Sequence, residues 1–232
     1  GKNVVHFTLE LADTSVAQRY DACLTGIPLD ELINQKDEVY DVIKDIDGQL
    51  IVKEFPTKSA STVTLKNHLE KIRQTEMEID MIVVDYGDLL KSSIVRKNSE
   101  KRHELESIYE ELRALSTEFQ CPIWTASQTN RSGLSAEVIT MESISEAFSK
   151  CFVADFIFSL SRTPQDRQAN TGRVFVAKNR NGPDGLVFPI YADWSNVSMK
   201  ILDKNSGEEQ PETSSKNNLR YLKDKYAQAR GK

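Results

Sequence analysis

The sequence predicts a doubly wound α/β fold, with a mostly parallel sheet and antiparallel strands at one edge. Two observations carry this. In the apolar runs Val4–Leu9, Ile79–Val84 and Ile123–Ser127, charge or polarity arrives only at the carboxyl end, as in strands buried on both faces of a parallel sheet. Strand-like runs alternate with helical periods as far as Phe119, the order that winds a parallel sheet, whereas Arg173–Ala177, Leu186–Tyr191 and Val197–Ile201 follow one another as antiparallel strands do.

Val4–Leu9 is rich in β-formers, and Glu10 leads from it into a helix that Asp13 or Thr14 can cap and Gly26 can end. Residues 30–47 read as two short helices, and Gln49–Phe55 as a second strand closed by Pro56. Thr62–Met77 has the period of an amphipathic helix with Val63, Leu65, Leu69 and Ile72 turned inward. Beyond the strand that ends at Asp85, Lys91–Arg102 holds five Lys/Arg against one Glu and feeds a helix over Glu104–Phe119, with Leu105, Ile108, Leu112 and Leu115 on one stripe. Pro122 opens the strand Ile123–Ser127. Arg131–Glu142 has neither period, and its Ser, Gly and Thr predict a long loop. Phe156–Leu160 is a further strand. From Asp203 the chain is polar, with a terminal helix near Leu219–Ala229. The expected division is one α/β domain over residues 1–202 and a polar, partly disordered tail over 203–232.

At 232 residues the chain has room for a sizeable core. Thirty Lys/Arg against 35 Asp/Glu give a net charge of −5, so any contact with nucleic acid must be local. Cys23, Cys121 and Cys151 lie far apart, in or beside apolar segments, which predicts buried free thiols and a reducing, cytoplasmic setting. His6, His68 and His103 show none of the close spacings that zinc sites use. No apolar run approaches the roughly 20 residues needed to span a bilayer, and Val4-Val5-His6-Phe7 is too short for the apolar region of a signal peptide.

In an open α/β sheet, ligands sit at the carboxyl ends of the strands. That rule selects Glu10, Asp85, Gln128 and the pair Lys178 and Arg180, each at the end of an apolar strand. In Lys178-Asn179-Arg180-Asn181-Gly182-Pro183 the two cations share a strand face, so a planar fork and a mobile point charge can clamp a polyphosphate together. Taken alone, the segment also fits a solvated basic turn. Phosphoryl transfer needs a carboxylate for Mg2+, a group that orients water, a polar sensor of the γ-phosphate and cations for the developing charge. All four types are present.

These residues resemble the hexameric replicative helicases of the DnaB type, whose motor domain has a RecA-like fold. Phe7-Thr8-Leu9-Glu10 looks like that family's Phe-Ser-Leu-Glu motif, and Ile82-Val83-Val84-Asp85-Tyr86 like its Walker B strand. Ser127-Gln128-Thr129-Asn130-Arg131 is similar to its Ser-Gln-Leu-Asn-Arg motif, and Lys178 to Pro183 to its Lys-x-Arg-Asn-Gly-Pro signature. The resemblance implies that Glu10 polarises the attacking water, Asp85 supports Mg2+ and Gln128 senses the γ-phosphate of ATP. It implies Arg180 as an arginine finger, with Lys178 beside it, reaching the nucleotide of a neighbouring subunit in a homo-oligomeric, hexameric ring.

The family cradles phosphates in a Gly-rich loop, G-x-x-x-x-G-K-[ST], and this sequence contains none. The expectation is a fragment that starts between that loop and the second strand, inactive by itself, rather than a relative that has lost the loop. The segments Lys91–Arg102 and Arg131–Glu142 correspond to loops that line the family's central channel, which marks Arg96, Lys97 and Arg131 as candidates for single-stranded DNA. The family's Leu-Arg-Glu-Ser segment is here Ile144-Ser145-Glu146-Ala147, so only Glu146 carries over. The resemblance also implies primase and a helicase loader as partners, and the cytoplasm of a bacterium or of a phage-infected host. Two other readings stay open at this point: a RecA-fold ATPase of the recombination or clock type, and a scaffold subunit that lends Arg180 to an active neighbour.

Overall fold

Strand β1 (Val4–Thr8) is the axis of the parallel sheet, with four of its five residues buried. It pairs in parallel with β2 (Leu50–Glu54) on one side and with β3 (Met81–Asp85) on the other, and β4 (Ile123–Thr125) extends the order to β2-β1-β3-β4. This computed structural model describes residues 1–93, 101–129, 138–141 and 149–202. The antiparallel strands β5 (Phe156–Ser161), β6 (Thr171–Asn179), β7 (Val187–Asp193) and β8 (Ser198–Ile201) hydrogen-bond as a sheet of their own, in that order. The expected antiparallel extension is thus a second sheet, whose first strand meets the parallel sheet through Trp124 against Phe156 and Phe158.

The helices follow from their stripes and caps. Helix α1 (Asp13–Thr25) ends at Gly26, whose φ of 78° is the left-handed cap that glycine adopts without strain. Its N-cap is Ala12, with no side-chain bond, and not Asp13 or Thr14. Residues 30–47 hold α2 (Lys36–Ile43) alone; hydrogen-bonded turns over 28–35 stand where a further helix was expected. Helix α3 (Thr62–Arg73) stops short of Met77 and buries Thr62, Leu65, Leu69 and Ile72. Val63 is 50% exposed, because the stripe 62, 65, 69, 72 leaves it one position off the inward face. In α4 (Lys101–Phe119) the predicted stripe Leu105, Ile108, Leu112 and Leu115 is buried throughout.

Phe7, Leu65, Leu69, Ile82 and Ile108 fill the core between the parallel sheet and α3 and α4. Each such side chain contributes about 2 kcal/mol on burial. Strand β4 is not buried on both faces as its sequence suggested, since Trp124 is 42% exposed. Cys121 and Cys151 are buried, but Cys23 is exposed on α1. Two short helices were not foreseen: α5 (Ser149–Val153) and α6 (Pro164–Gln168). No helix among the described residues is long and apolar enough to cross a membrane.

Candidate active site

The turn that carries Glu10 is fixed by its neighbours. Buried Thr8 donates its hydroxyl to the Leu11 carbonyl at 2.8 Å and accepts from the Leu11 N–H at 3.2 Å. The Leu9 N–H donates to the Asp85 carbonyl at 2.8 Å, so the turn after β1 is tied to the end of β3. Glu10 projects exposed from this turn, and the Asp85 side chain is half-buried beside it. Neither carboxylate accepts a hydrogen bond or forms an ion pair among the described residues.

Tyr86 links these acids to Gln128. Partial burial raises the Tyr86 phenol above its ordinary pKa, and the charges of Glu10, Asp88 and Asp85 raise it further, which puts all three carboxylates around one ring. Gln128 donates its amide to the Tyr86 hydroxyl at 2.9 Å. Glu10, Asp85 and Gln128, which lie 118 positions apart in sequence at the extremes, therefore converge on one rim. The end of β4 is held there by Thr125, whose hydroxyl donates to the Val84 carbonyl and accepts from the Gly87 N–H, both at 2.8 Å. A Cβ at Gly87 would lie 3.0 Å from that hydroxyl oxygen, so this close approach favours glycine.

Lys178 and Arg180 share a face, as alternation predicts, but they contact none of those three residues. A register shift opposite Ile157 and Phe158 re-aims the last residues of β6. Lys178 donates to the Cys151 and Phe152 carbonyls at 2.9 and 3.1 Å, at the carboxyl end of α5. Burial lowers the Lys178 pKa, as does the adjacent Arg180 charge. Arg180 pairs with Asp155, which also accepts from Arg113 at 3.1 Å, and its side chain stays 45% exposed. Arg96, Lys97, Arg131 and Glu146 lie outside the described residues.

Sequence reasoning missed a polar cluster directly behind the rim. Lys150 is 2% exposed and meets Asp88 at 2.9 Å and the Ser127 hydroxyl at 2.6 Å, while Tyr109 donates to the other Asp88 oxygen at 2.7 Å. Burial and the Asp88 charge raise the Tyr109 phenol far above its ordinary range. Lysine in a segment without period gave no signal of burial.

Unpartnered carboxylates beside a tyrosine-bound amide are a donor set that fits a hydrated Mg2+ and a water molecule, whereas the described residues offer no loop of backbone N–H groups for a triphosphate. The fold is RecA-like. The chain aligns with a helicase ATPase domain of known structure at a TM-score of 0.72 and 15% identity, over 87% of this chain and 75% of that one. With a DnaB-like replicative helicase, described together with its interactions with primase, the TM-score is 0.73 at 15% identity, over 87% of this chain and 52% of that one.

The chain belongs to the family of DnaB-like helicase C-terminal domains, whose model matches residues 1–194. It is 28% identical over 192 residues to the DnaB-like replicative helicase of Enterobacteria phage T4, covering 78% of this chain and 40% of that protein. A probable replicative DNA helicase of Trieres chinensis is 25% identical over 201 residues, covering 79% and 43%. The replicative DNA helicase DnaB of Mycoplasma genitalium is 24% identical over 199 residues, covering 79% and 42%. The chain thus spans about two-fifths of the length of these curated relatives. The family resemblance drawn from the motifs is borne out.

Proposed function

We propose that residues 1–202 are most of an ATP-hydrolysing motor that moves along single-stranded DNA and separates duplex as a homo-oligomeric, hexameric ring. The observation that carries this reading is the gathering of Glu10, Asp85 and Gln128 around Tyr86, with Lys178 and Arg180 turned away from them and Arg180 partly exposed. Mg2+, when bound, neutralises phosphate charge, and Asp85 is the residue to hold it. Glu10, free of protein partners among the described residues, accepts a hydrogen bond from water and orients it. Gln128 has an amide to offer a γ-phosphate oxygen, with Tyr86 fixing its reach.

Arg180 is anchored on Asp155 rather than on its own chain's acids. A fork held in that way serves a phosphate presented by an adjoining copy, with Lys178 beside it; the site is then complete only between two subunits. The phosphate-cradling loop is to come from polypeptide outside the 232 residues, so this chain alone binds ATP poorly and does not turn it over. The basic segments Lys91–Arg102 and Arg131–Glu142 are the places proposed for DNA, through Arg96, Lys97 and Arg131 with Glu146 nearby. Primase and a loader are the partners that the relatives suggest, within the cytoplasm of a bacterium or a phage-infected host.

In the full-length protein, ATP turnover is expected to rise with single-stranded DNA and to accompany strand displacement. Arg180→Ala should lower turnover by about 10³-fold or more while nucleotide affinity stays nearly constant, as for a charge stabiliser acting in the transition state. Turnover indifferent to DNA, or an equal loss of nucleotide binding in Arg180→Ala, would count against this function.

A further inference from the structure

We propose that Lys150 is a positioning residue for Gln128, acting through Ser127 and Asp88; this rests on the reading of Gln128 as the γ-phosphate sensor. A lysine ammonium is strongly hydrated, and burying one is costly unless every donor finds a partner. Here the ammonium, on a side chain 2% exposed, donates to Asp88 Oδ2 at 2.9 Å and to Ser127 Oγ at 2.6 Å, and it lies 5.6 Å from the centre of the Tyr109 ring. Ser127 in turn donates to Asp88 Oδ2 at 3.1 Å, and Tyr109 to Asp88 Oδ1 at 2.7 Å. The network is closed, and both carboxylate oxygens are used.

Its position gives it a function. Ser127 is the residue immediately before Gln128, so fixing its hydroxyl fixes the backbone from which the sensor amide reaches Tyr86. Asp88 lies three residues beyond Asp85, in the 3-10 turn Gly87–Leu89 that follows Tyr86. One ammonium thus grips both segments that flank the rim. Its own helix, α5, is held at the carboxyl end by Lys178 on the Cys151 and Phe152 carbonyls, so the short helix also spans from the acidic group to the basic one. A buried ion pair is a poor device for stability alone, because apolar residues of like volume commonly serve that purpose as well or better. Directional hydrogen bonds, by contrast, set geometry.

The test uses the full-length protein and compares wild type, Lys150→Met, Lys150→Arg, Gln128→Ala and the charge-neutral double variant Lys150→Met/Asp88→Asn. Affinities for ADP and for a non-hydrolysable ATP analogue are measured by titration with fluorescent nucleotides, alongside kcat, KM and the thermal midpoint. Wild type should prefer the triphosphate, and Lys150→Met should lose that preference like Gln128→Ala, with ADP affinity changed by less than about threefold. Loss of alignment should lower kcat by about 10- to 100-fold with little change in KM, and Lys150→Arg should recover part of it. If Lys150→Met does not fold, the double variant, which leaves no bare buried carboxylate, carries the same expectation. A variant that keeps the wild-type preference and kcat overturns the proposal even if its midpoint falls, since a merely structural tie moves stability alone. If wild type does not distinguish the two nucleotides, or Gln128→Ala keeps the preference, the sensor reading falls and this proposal falls with it.

Discussion

Asp166 is 2% exposed yet charged, and its surroundings explain how. It accepts from the Thr163 N–H at 2.8 Å, the Thr163 hydroxyl at 2.7 Å, the Thr171 hydroxyl at 2.9 Å and Arg173 at 2.8 Å. Burial by itself would raise its pKa, but the hydrogen bonds from Thr163 and Thr171 and the Arg173 charge outweigh it and hold the carboxyl below its ordinary 3.8. A depressed carboxyl stabilises the fold above its unfolded value, and that stability is lost as pH falls through the folded one. Asp166→Asn should therefore cost about 3 kcal/mol at neutral pH, as for a broken buried pair. Denaturant titrations should show the gap to wild type narrowing as pH falls below 3.8.

The same scale shows what sequence reading can reach. Glu10, Asp85 and Gln128 were legible because each directly follows an apolar strand, and strand ends of a parallel sheet gather by topology. Asp88, Tyr109 and Lys150 were not, because their meeting is made by side chains 21 and 62 positions from Asp88, with no period to betray it.

At the scale of elements, α3 illustrates how a cap sets a boundary. Ser61 accepts from the Thr64 N–H at 3.3 Å, and Thr64 accepts from the Ser61 N–H at 3.2 Å, a reciprocal capping box. Ser61→Ala should cost about 1 kcal/mol and lower the thermal midpoint by about 2–4 °C, measurable by calorimetry. The helix was legible from its stripe and its far end was not, because Thr75 and Glu76 close a turn onto Ile72 and Arg73 that no cap residue announces. Around α2 the apolar residues suggested more helix than forms. Pro28 anchors turns through its carbonyl there, and the Leu29 N–H bonds across to Ser195 instead of within a helix.

At the scale of the whole molecule, acids and finger occupy different sheets, with α5 between them. If each nucleotide is shared by two copies, defects in the two groups should complement. Mixing full-length Glu10→Gln with full-length Arg180→Ala, each inactive alone, should restore some ATP turnover, since part of the mixed interfaces would join an intact Glu10 to an intact Arg180. An assay of mixed rings that finds no recovery at any ratio would place both residues in one subunit's chemistry. The alternation of strands and helices made the parallel sheet readable beforehand, whereas the break between β4 and β5 depends on which backbone edges meet, and side-chain pattern does not encode that.

That break leaves β4 and β5 each with one side of its ladder unpaired among the described residues, beside Trp124, Phe156 and Phe158, each more than a third exposed. Open amide groups next to aromatic rings are a template on which any extended polypeptide can zip. Solubility of the 232-residue species is accordingly governed by this seam, more than by its five surplus negative charges.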